Sequence, residues 1–229
     1  MTHSTDIESP CNEPCIELEP DVPAESSIIL LHGGGGYNGE FLPLLKHFTP
    51  GRGRVRFIFP NAPRMRLALF DGALMRAWYD VPHADLQRDE DTAGIRRSER
   101  RLHTLIERER QRGIPSKRIL IGGFSQGGAI ALYVGARYPD PLAGVIALSS
   151  YLPLLGQTVA EQPGLGLRPP VYIGHGRDDD LVPIALAEQS AQLLESLGHS
   201  TRFMIFPVGH GTCLAELESV NAWLQAVLP

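Results

Sequence analysis

Cysteine is scarce in this 229-residue chain: Cys11, Cys15 and Cys213 are all there is. That is too few, and too scattered, for a disulfide framework, so a reducing cytoplasmic setting is the simplest expectation. The chain also lacks any apolar run near the roughly 18 residues needed to span a bilayer, so no stable membrane insertion is expected. Its start lacks the basic segment and apolar run of a secretory signal. Nor is there a basic excess. The net charge is −5 and the pI about 5.9, which argues against nucleic acid as a partner. Internal repeats and low-complexity tracts are missing too. What remains, 43% hydrophobic and 21% charged residues, is ordinary for a globular protein with a sizeable core.

Residues 1–24 carry Ser, Pro, Glu and Asp without periodicity and read as a flexible arm or a weak edge strand. Residues 25–229 then alternate short apolar runs with longer segments of helical period. The strand candidates are 27–31, 55–59, 118–121, 144–148, 171–174 and 202–206. Thr92 to Arg112 places Ile95, Leu102, Leu105 and Ile106 on one face and stops at Gly113 with Pro115 beyond. Helices are also expected over 183–197 and 211–228. Nearly continuous apolar strands between helices predict one doubly wound α/β domain, its mostly parallel sheet covered on both faces.

In such a sheet, ligands sit outside the carboxyl ends of the strands. Each chemically capable group of this chain follows a strand candidate: His32 with Gly33–Gly36, the stretch "GGFSQGG" at 122–128, His175 with Asp178–Asp180, and Gly209-His210. The pattern Gly123-Phe124-Ser125-Gln126-Gly127 is a G-x-S-x-G turn, which leaves a serine Oγ exposed between a strand and a helix. A serine needs a base to take its proton and an acid to orient that base. The chain order Ser125, Asp179, His210 is the α/β-hydrolase order. Oxyanion donors are expected from the backbone N–H of Gln126 and from the glycine run, with Gly34 the candidate.

Plainer readings cover the other polar residues. Ser149 and Ser150 lack flanking glycines and read as turn residues, and His32 and His175 as braces of their turns. His3, His47, His83, His103 and His199 are expected in solvent. The three aspartates come with no partner motif for Ca²⁺ or Mg²⁺, and the glycine run lacks the Lys-Ser/Thr of a phosphate loop. No metal and no cofactor are expected.

The stretches "LHG" (31–33), "PNAP" (60–63), "WYD" (78–80), "GIPSKRILIGGFSQGGA" (113–129), "LAGVIALSSYLP" (142–153), "HGRDDDLVP" (175–183) and "VGHG" (208–211) together resemble the acyl-protein thioesterase/carboxylesterase (phospholipase–carboxylesterase) family of α/β-hydrolases. The likeness implies Ser125 as nucleophile, His210 as base and Asp179, rather than Asp178 or Asp180, as acid, with the Gly34 and Gln126 amides as the oxyanion site. The family usually has leucine after the first His-Gly and an acidic residue further along. Here the loop is all glycine, so it is expected to be more mobile. The segment before Trp78 also departs from the family pattern. In the family this segment forms a lid-like flap, so Leu67, Leu69, Phe70, Met75 and Trp78 are the expected substrate contacts. The Asp71-Gly72 turn signal argues for a flap rather than a core strand. The implied function is hydrolysis of carboxylic esters or thioesters of short-to-medium acyl chains. The alternatives are aromatic or sugar esters held by a Trp78, Tyr79 and Phe70 wall, or a catalytically silent binding module on the same fold. The expected partner is a small-molecule ester or thioester, and a homodimer is compatible with the sequence.

Overall fold

The computed structural model describes residues 15–49, 54–162 and 168–228. Seven strands form the main sheet: β1 (Ile16–Leu18), β2 (Ser26–Leu31), β3 (Val55–Phe59), β6 (Ile119–Phe124), β7 (Gly144–Leu148), β8 (Val171–Gly176) and β9 (Thr201–Phe206). Their spatial order is β1-β3-β2-β6-β7-β8-β9, and every pairing is parallel except that of β1 with β3. The two remaining strands, β4 (Arg64–Leu67) and β5 (Ala73–Arg76), pair with each other as a separate antiparallel hairpin. The helices are α1 (Thr92–Gln111), α2 (Gln126–Gly135), α3 (Leu155–Ala160), α4 (Ile184–Ser196) and α5 (Leu214–Val227).

The all-apolar strands explain the two-sided cover. Alternate residues of β2 serve different cores because side chains switch face at each step. Ile29 and Leu31 join Ile95, Leu102 and Ile106 of α1, Ile130 and Val134 of α2 and Leu194 of α4. Ile28 and Leu30 join Val220, Trp223 and Leu224 of α5. Each such aliphatic side chain contributes about 1.5–3 kcal/mol on full burial. Helix α1 starts where Asp91 accepts from the Gly94 amide at 2.8 Å and ends at Gly113 with φ 93°, a positive value that suits glycine. The edge strand Ile16–Leu18 shows that part of the expected arm is paired. Residues 1–14, with Cys11 and His3, lie outside the described residues.

One expectation is corrected. His199 is not in solvent: it is 4% exposed, with Nδ1 3.0 Å from Pro169 O, and His103 is half-buried, edge-on to the Tyr138 ring. The stretch before Trp78, expected as a flap, is the β4–β5 hairpin. Asp71 and Gly72, at φ 52° and 73°, form the turn of the hairpin, and Arg66 donates to Gly72 O at 2.9 Å. The turn signal that seemed to break a strand is the point where two strands meet.

Strand order reverses at β2: β3 lies on one side of it, and the chain then crosses to β6 on the other. The crevice between the ends of β2 and β6 is therefore the place for a ligand. Helix α2 leaves β6 so closely against β2 that glycine is required. A Cβ on Gly127 would lie 2.6 Å from His32 O and closer still to Leu31 O. Both are strand-end backbone atoms that cannot swing away. Gly127→Ala is expected to cost at least about 3 kcal/mol. For a domain of this size that is a fall in Tm of roughly 6–12 °C or more, read by thermal denaturation.

Candidate active site

Ser125 sits between β6 and α2 at φ 52° and ψ −121°, a backbone state costly for a residue with a Cβ. The turn is held from two sides. Ser125 N donates to Leu148 O at 2.9 Å, and Ser150 Oγ donates to Ser125 O at 2.8 Å. A Cβ on Gly123 would strike Gly127 C and Leu31 O, and one on Gly128 would strike Ser150. The glycines around the serine thus answer a crowding problem.

Asp179 follows β8 and His210 follows β9. His210 Nδ1 is 2.8 Å from Asp179 Oδ2. The other oxygen, Oδ1, accepts from the amides of Leu181 at 3.0 Å and Val182 at 2.8 Å. The Asp179 side chain is fully buried, whereas Asp178 and Asp180 are exposed. With Nδ1–H pointing at a carboxylate, the free nitrogen of His210 is Nε2, an acceptor. The Phe124 ring lies 4.9 Å from the His210 ring, so the imidazole stands beside the residue preceding Ser125.

The histidines read as braces have that role. His32 Nε2 accepts from Ala62 N at 3.0 Å, which leaves Nδ1–H to donate to Gly33 O at 2.7 Å. His175 Nε2 donates to Val182 O at 2.9 Å, closing the loop that carries Asp179. Burial pushes both imidazoles below their ordinary pKa, so both are neutral supports. Ser149 and Ser150, expected as turn residues, are buried, and Ser149 Oγ donates to Gly211 O at 3.2 Å next to His210.

Gln126 is held by its side chain, whose Oε1 accepts from Trp78 N and whose Nε2 donates to Tyr79 O, both at 3.1 Å. Gly34 abuts it: a Cβ there would be 3.1 Å from Gln126 Cδ. As the first residue of α2, Gln126 has an amide without an intrahelical acceptor. The Gly35 amide donates to Arg76 O at 2.7 Å, which ties the glycine loop to the hairpin.

The expected substrate contacts divide. Leu69 and Phe70 are 39% and 50% exposed at the hairpin tip, and Met75 comes within 3.6 Å of a Cβ placed on Gly35. Leu67 and Trp78 are corrected: both are core residues, 1% and 3% exposed, and the Trp78 indole donates to His32 O at 2.7 Å. Alternation along β4 turns Leu67 inward. The Trp78 ring and its N–H are both consumed in supporting the glycine loop. Tyr79 is equally buried, so Trp78, Tyr79 and Phe70 do not form an exposed aromatic wall.

A buried acid with no ion-pair partner among the described residues escaped the sequence reading. Glu216, in the first turn of α5 just beyond His210, is fully buried, and neither carboxyl oxygen has a well-formed hydrogen bond. It lies so close to Gly174 that a Cβ there would meet it. Burial raises its pKa from 4.5 to about 7, with the Cys213 amide pulling weakly the other way. Only a glutamate on the apolar stripe of α5 hinted at it. Because the folded pKa is the higher one, the acid's contribution to stability is complete below pH 4.5 and is lost as pH rises through about 7. Wild type should therefore lose up to about 3 kcal/mol across that window. Glu216→Gln should flatten the slope, as read by urea midpoints at a series of pH values.

The chain matches the sequence profile of the Phospholipase/Carboxylesterase family over residues 13–228. It is 37% identical over 215 residues to acyl-protein thioesterase 1 of Neurospora crassa, covering 89% of this chain and 87% of that protein. It is 38% identical over 178 residues to acyl-protein thioesterase 1 of Schizosaccharomyces pombe, covering 77% of this chain and 79% of that one. Among solved structures, Zea mays acyl-protein thioesterase 2 has a TM-score of 0.81 at 28% identity, covering 94% of this chain and 99% of that one. Arabidopsis thaliana SOBER1 has a TM-score of 0.84 at 27% identity, covering 90% of this chain and all of that one. The sheet and these neighbours make the fold an α/β-hydrolase fold. Among the described residues, no helix is long and apolar enough to cross a membrane.

Proposed function

We propose, from the premise that this chain belongs to the phospholipase/carboxylesterase family of serine hydrolases, that Ser125, His210 and Asp179 form its catalytic triad. In this reading they cleave esters or thioesters of short-to-medium acyl chains in the cytoplasm through an acyl-enzyme. The observation that carries the reading is the contact of His210 Nδ1 with Asp179 Oδ2 at 2.8 Å, beside the glycine-flanked turn of Ser125.

The chemistry follows from that arrangement. His210 Nε2 takes the Ser125 hydroxyl proton as Oγ bonds to the substrate carbonyl carbon. The carbonyl π electrons move onto oxygen, and the amides of Gly34 and Gln126 stabilise that oxyanion. When it collapses, the C–O or C–S bond to the leaving group breaks, and the alcohol or thiol leaves with the proton held by His210. Water, activated by the same nitrogen, then attacks the acyl-serine. A second collapse releases the carboxylic acid and restores Ser125. Asp179 remains a carboxylate throughout, selecting the tautomer and supporting the imidazolium. Esters and thioesters share this route because both pass through an oxyanion.

A fluorophosphonate probe should label wild type at Ser125 and nowhere else, and Ser125→Ala should abolish turnover of p-nitrophenyl esters with Tm unchanged. Labelling at Ser149 or Ser150 would overturn the assignment. Asp179→Asn should cut kcat by about 10⁴-fold through the wrong histidine tautomer. Asp178→Asn and Asp180→Asn, whose side chains are exposed, should leave most of the activity.

Leu69, Phe70 and Leu74, the exposed apolar residues of the hairpin, support a role in acyl preference. Each buried methylene is worth about 0.8 kcal/mol, so four more should favour the longer ester by roughly 3 kcal/mol at most. Medium-chain esters are expected to beat acetate in kcat/KM. Changing Leu69 and Phe70 to serine should flatten the profile while sparing acetate hydrolysis, as measured across C2 to C16 esters. An unchanged profile would place the acyl site elsewhere.

A further inference from the structure

The loop after β2 runs through Gly33, Gly34, Gly35 and Gly36 without a side chain of its own to anchor it. Its ends are tethered. Gly33 O is held by His32, the Gly35 amide by Arg76 O, and Asn38 N donates to Asn61 Oδ1 at 2.8 Å. Two successive tight turns, Gly36 N to Gly33 O and Glu40 N to Tyr37 O, both at 3.1 Å, then fold the chain back on itself. The fold-back brings the Glu40 carboxyl group onto Gly36. A Cβ at Gly36 would be 3.0 Å from Glu40 Cδ and nearer still to Oε2. Burial of this carboxyl group pushes its pKa up, with the backbone at Tyr37 and Gly33 pulling the other way. Glu40 as a whole is exposed, but its carboxyl end lies against the bare backbone of Gly36.

We propose that Glu40 is a positioning residue for ester hydrolysis. Its carboxylate fills the space left by the missing side chain of Gly36 and holds the glycine loop, and with it the Gly34 amide, at the oxyanion position. The proposal rests on the assignment of the Gly34 amide to the oxyanion site. Gly34 and Gly35 are themselves exposed, and glycine loses more backbone entropy on ordering than any other residue. A brace from outside the glycine run is therefore what keeps the donor in place between turnovers. The carboxylate never touches substrate; it acts through the backbone it grips.

The geometry dictates the test. Gly36, unlike Gly35 at φ 78°, is not among the positive-φ residues, and once Glu40 has vacated the space an aspartate Cβ there meets only Gly33 O, at 3.1 Å, a contact that a shift of a few tenths of an ångström relieves. Glu40→Ala should lower kcat on p-nitrophenyl acetate by roughly tenfold to a hundredfold, with KM changed by less than about twofold. Gly36→Asp alone should also lose activity, because two carboxylates then compete for one space. Combining Glu40→Ala with Gly36→Asp should recover most of the wild-type kcat, a reversal that a purely structural role would not produce. Wild-type kcat in Glu40→Ala, or a folded double variant no better than Glu40→Ala, would overturn the proposal. If the double variant does not fold, Glu40→Gln decides: it keeps the shape and one acceptor oxygen and must retain more kcat than Glu40→Ala, and an equal loss would refute the brace. Gly34→Pro, which deletes the amide itself, separates the two readings. Full activity there would remove the oxyanion assignment, whereas an inactive Gly34→Pro beside an unaffected Glu40→Ala would remove only Glu40.

Discussion

Everything at the catalytic rim depends on how closely α2 can approach the end of β2. The helix begins one residue after Ser125, and its first turn rests on the carbonyls of Leu31 and His32, with no room for a Cβ on Gly127. That contact forces the chain to reverse within a single residue, and Ser125 takes up the reversal at φ 52°. A side chain in such a state costs on the order of 1–3 kcal/mol. The cost is met by packing: β6 and α2 are among the most completely buried segments of the chain. Ser125 can therefore stay partly exposed because its flanks are buried.

Around this turn lies a shell of buried polar side chains. His32, His175, Gln126, Ser149 and Ser150 each make a hydrogen bond to loop or strand-end backbone. Unpaired, any of them would cost about 1–3 kcal/mol. Paired, they fix loops that otherwise contain mostly glycine and aspartate. Trp78 belongs to the same shell: its indole grips His32 O while its amide is gripped by Gln126. Trp78 thus links the loop after β2 to the start of α2, where the two backbone donors proposed for the oxyanion lie.

Parallel topology makes this economy possible. With β2, β6, β7, β8 and β9 all running the same way, their carboxyl ends share one edge, and groups far apart in the chain meet there. Leu148 and Ser150 brace Ser125, and Gly211 is braced by Ser149. The elements on either side of Ser125 and His210 therefore support one another.

Much was legible in the residues themselves. Six apolar runs marked six of the seven sheet strands to within a few residues, because strands buried on both faces are continuously apolar. Glycines bracketing Ser125, and the order of serine, aspartate and histidine, pointed to the rim. Packing decided the rest. Leu67 and Trp78 are as apolar as Leu69 and Phe70, and composition could not say which pair faces inward; the pairing of β4 with β5 and the demand of His32 O for a donor settled it. His199 and Glu216 carry the same formal signature as solvated residues, yet both are buried: His199, after α4, against Pro169, and Glu216, on α5, against Gly174 of β8. The grip of Glu40 on Gly36 requires two consecutive turns that no periodicity announces. The sequence by itself determined which residues can react and in what order they come, since those depend on side-chain chemistry and backbone freedom. Tertiary structure alone decided which of the remaining polar and apolar groups touch the rim and which hold it in place, because burial is a property of neighbours distant in the chain.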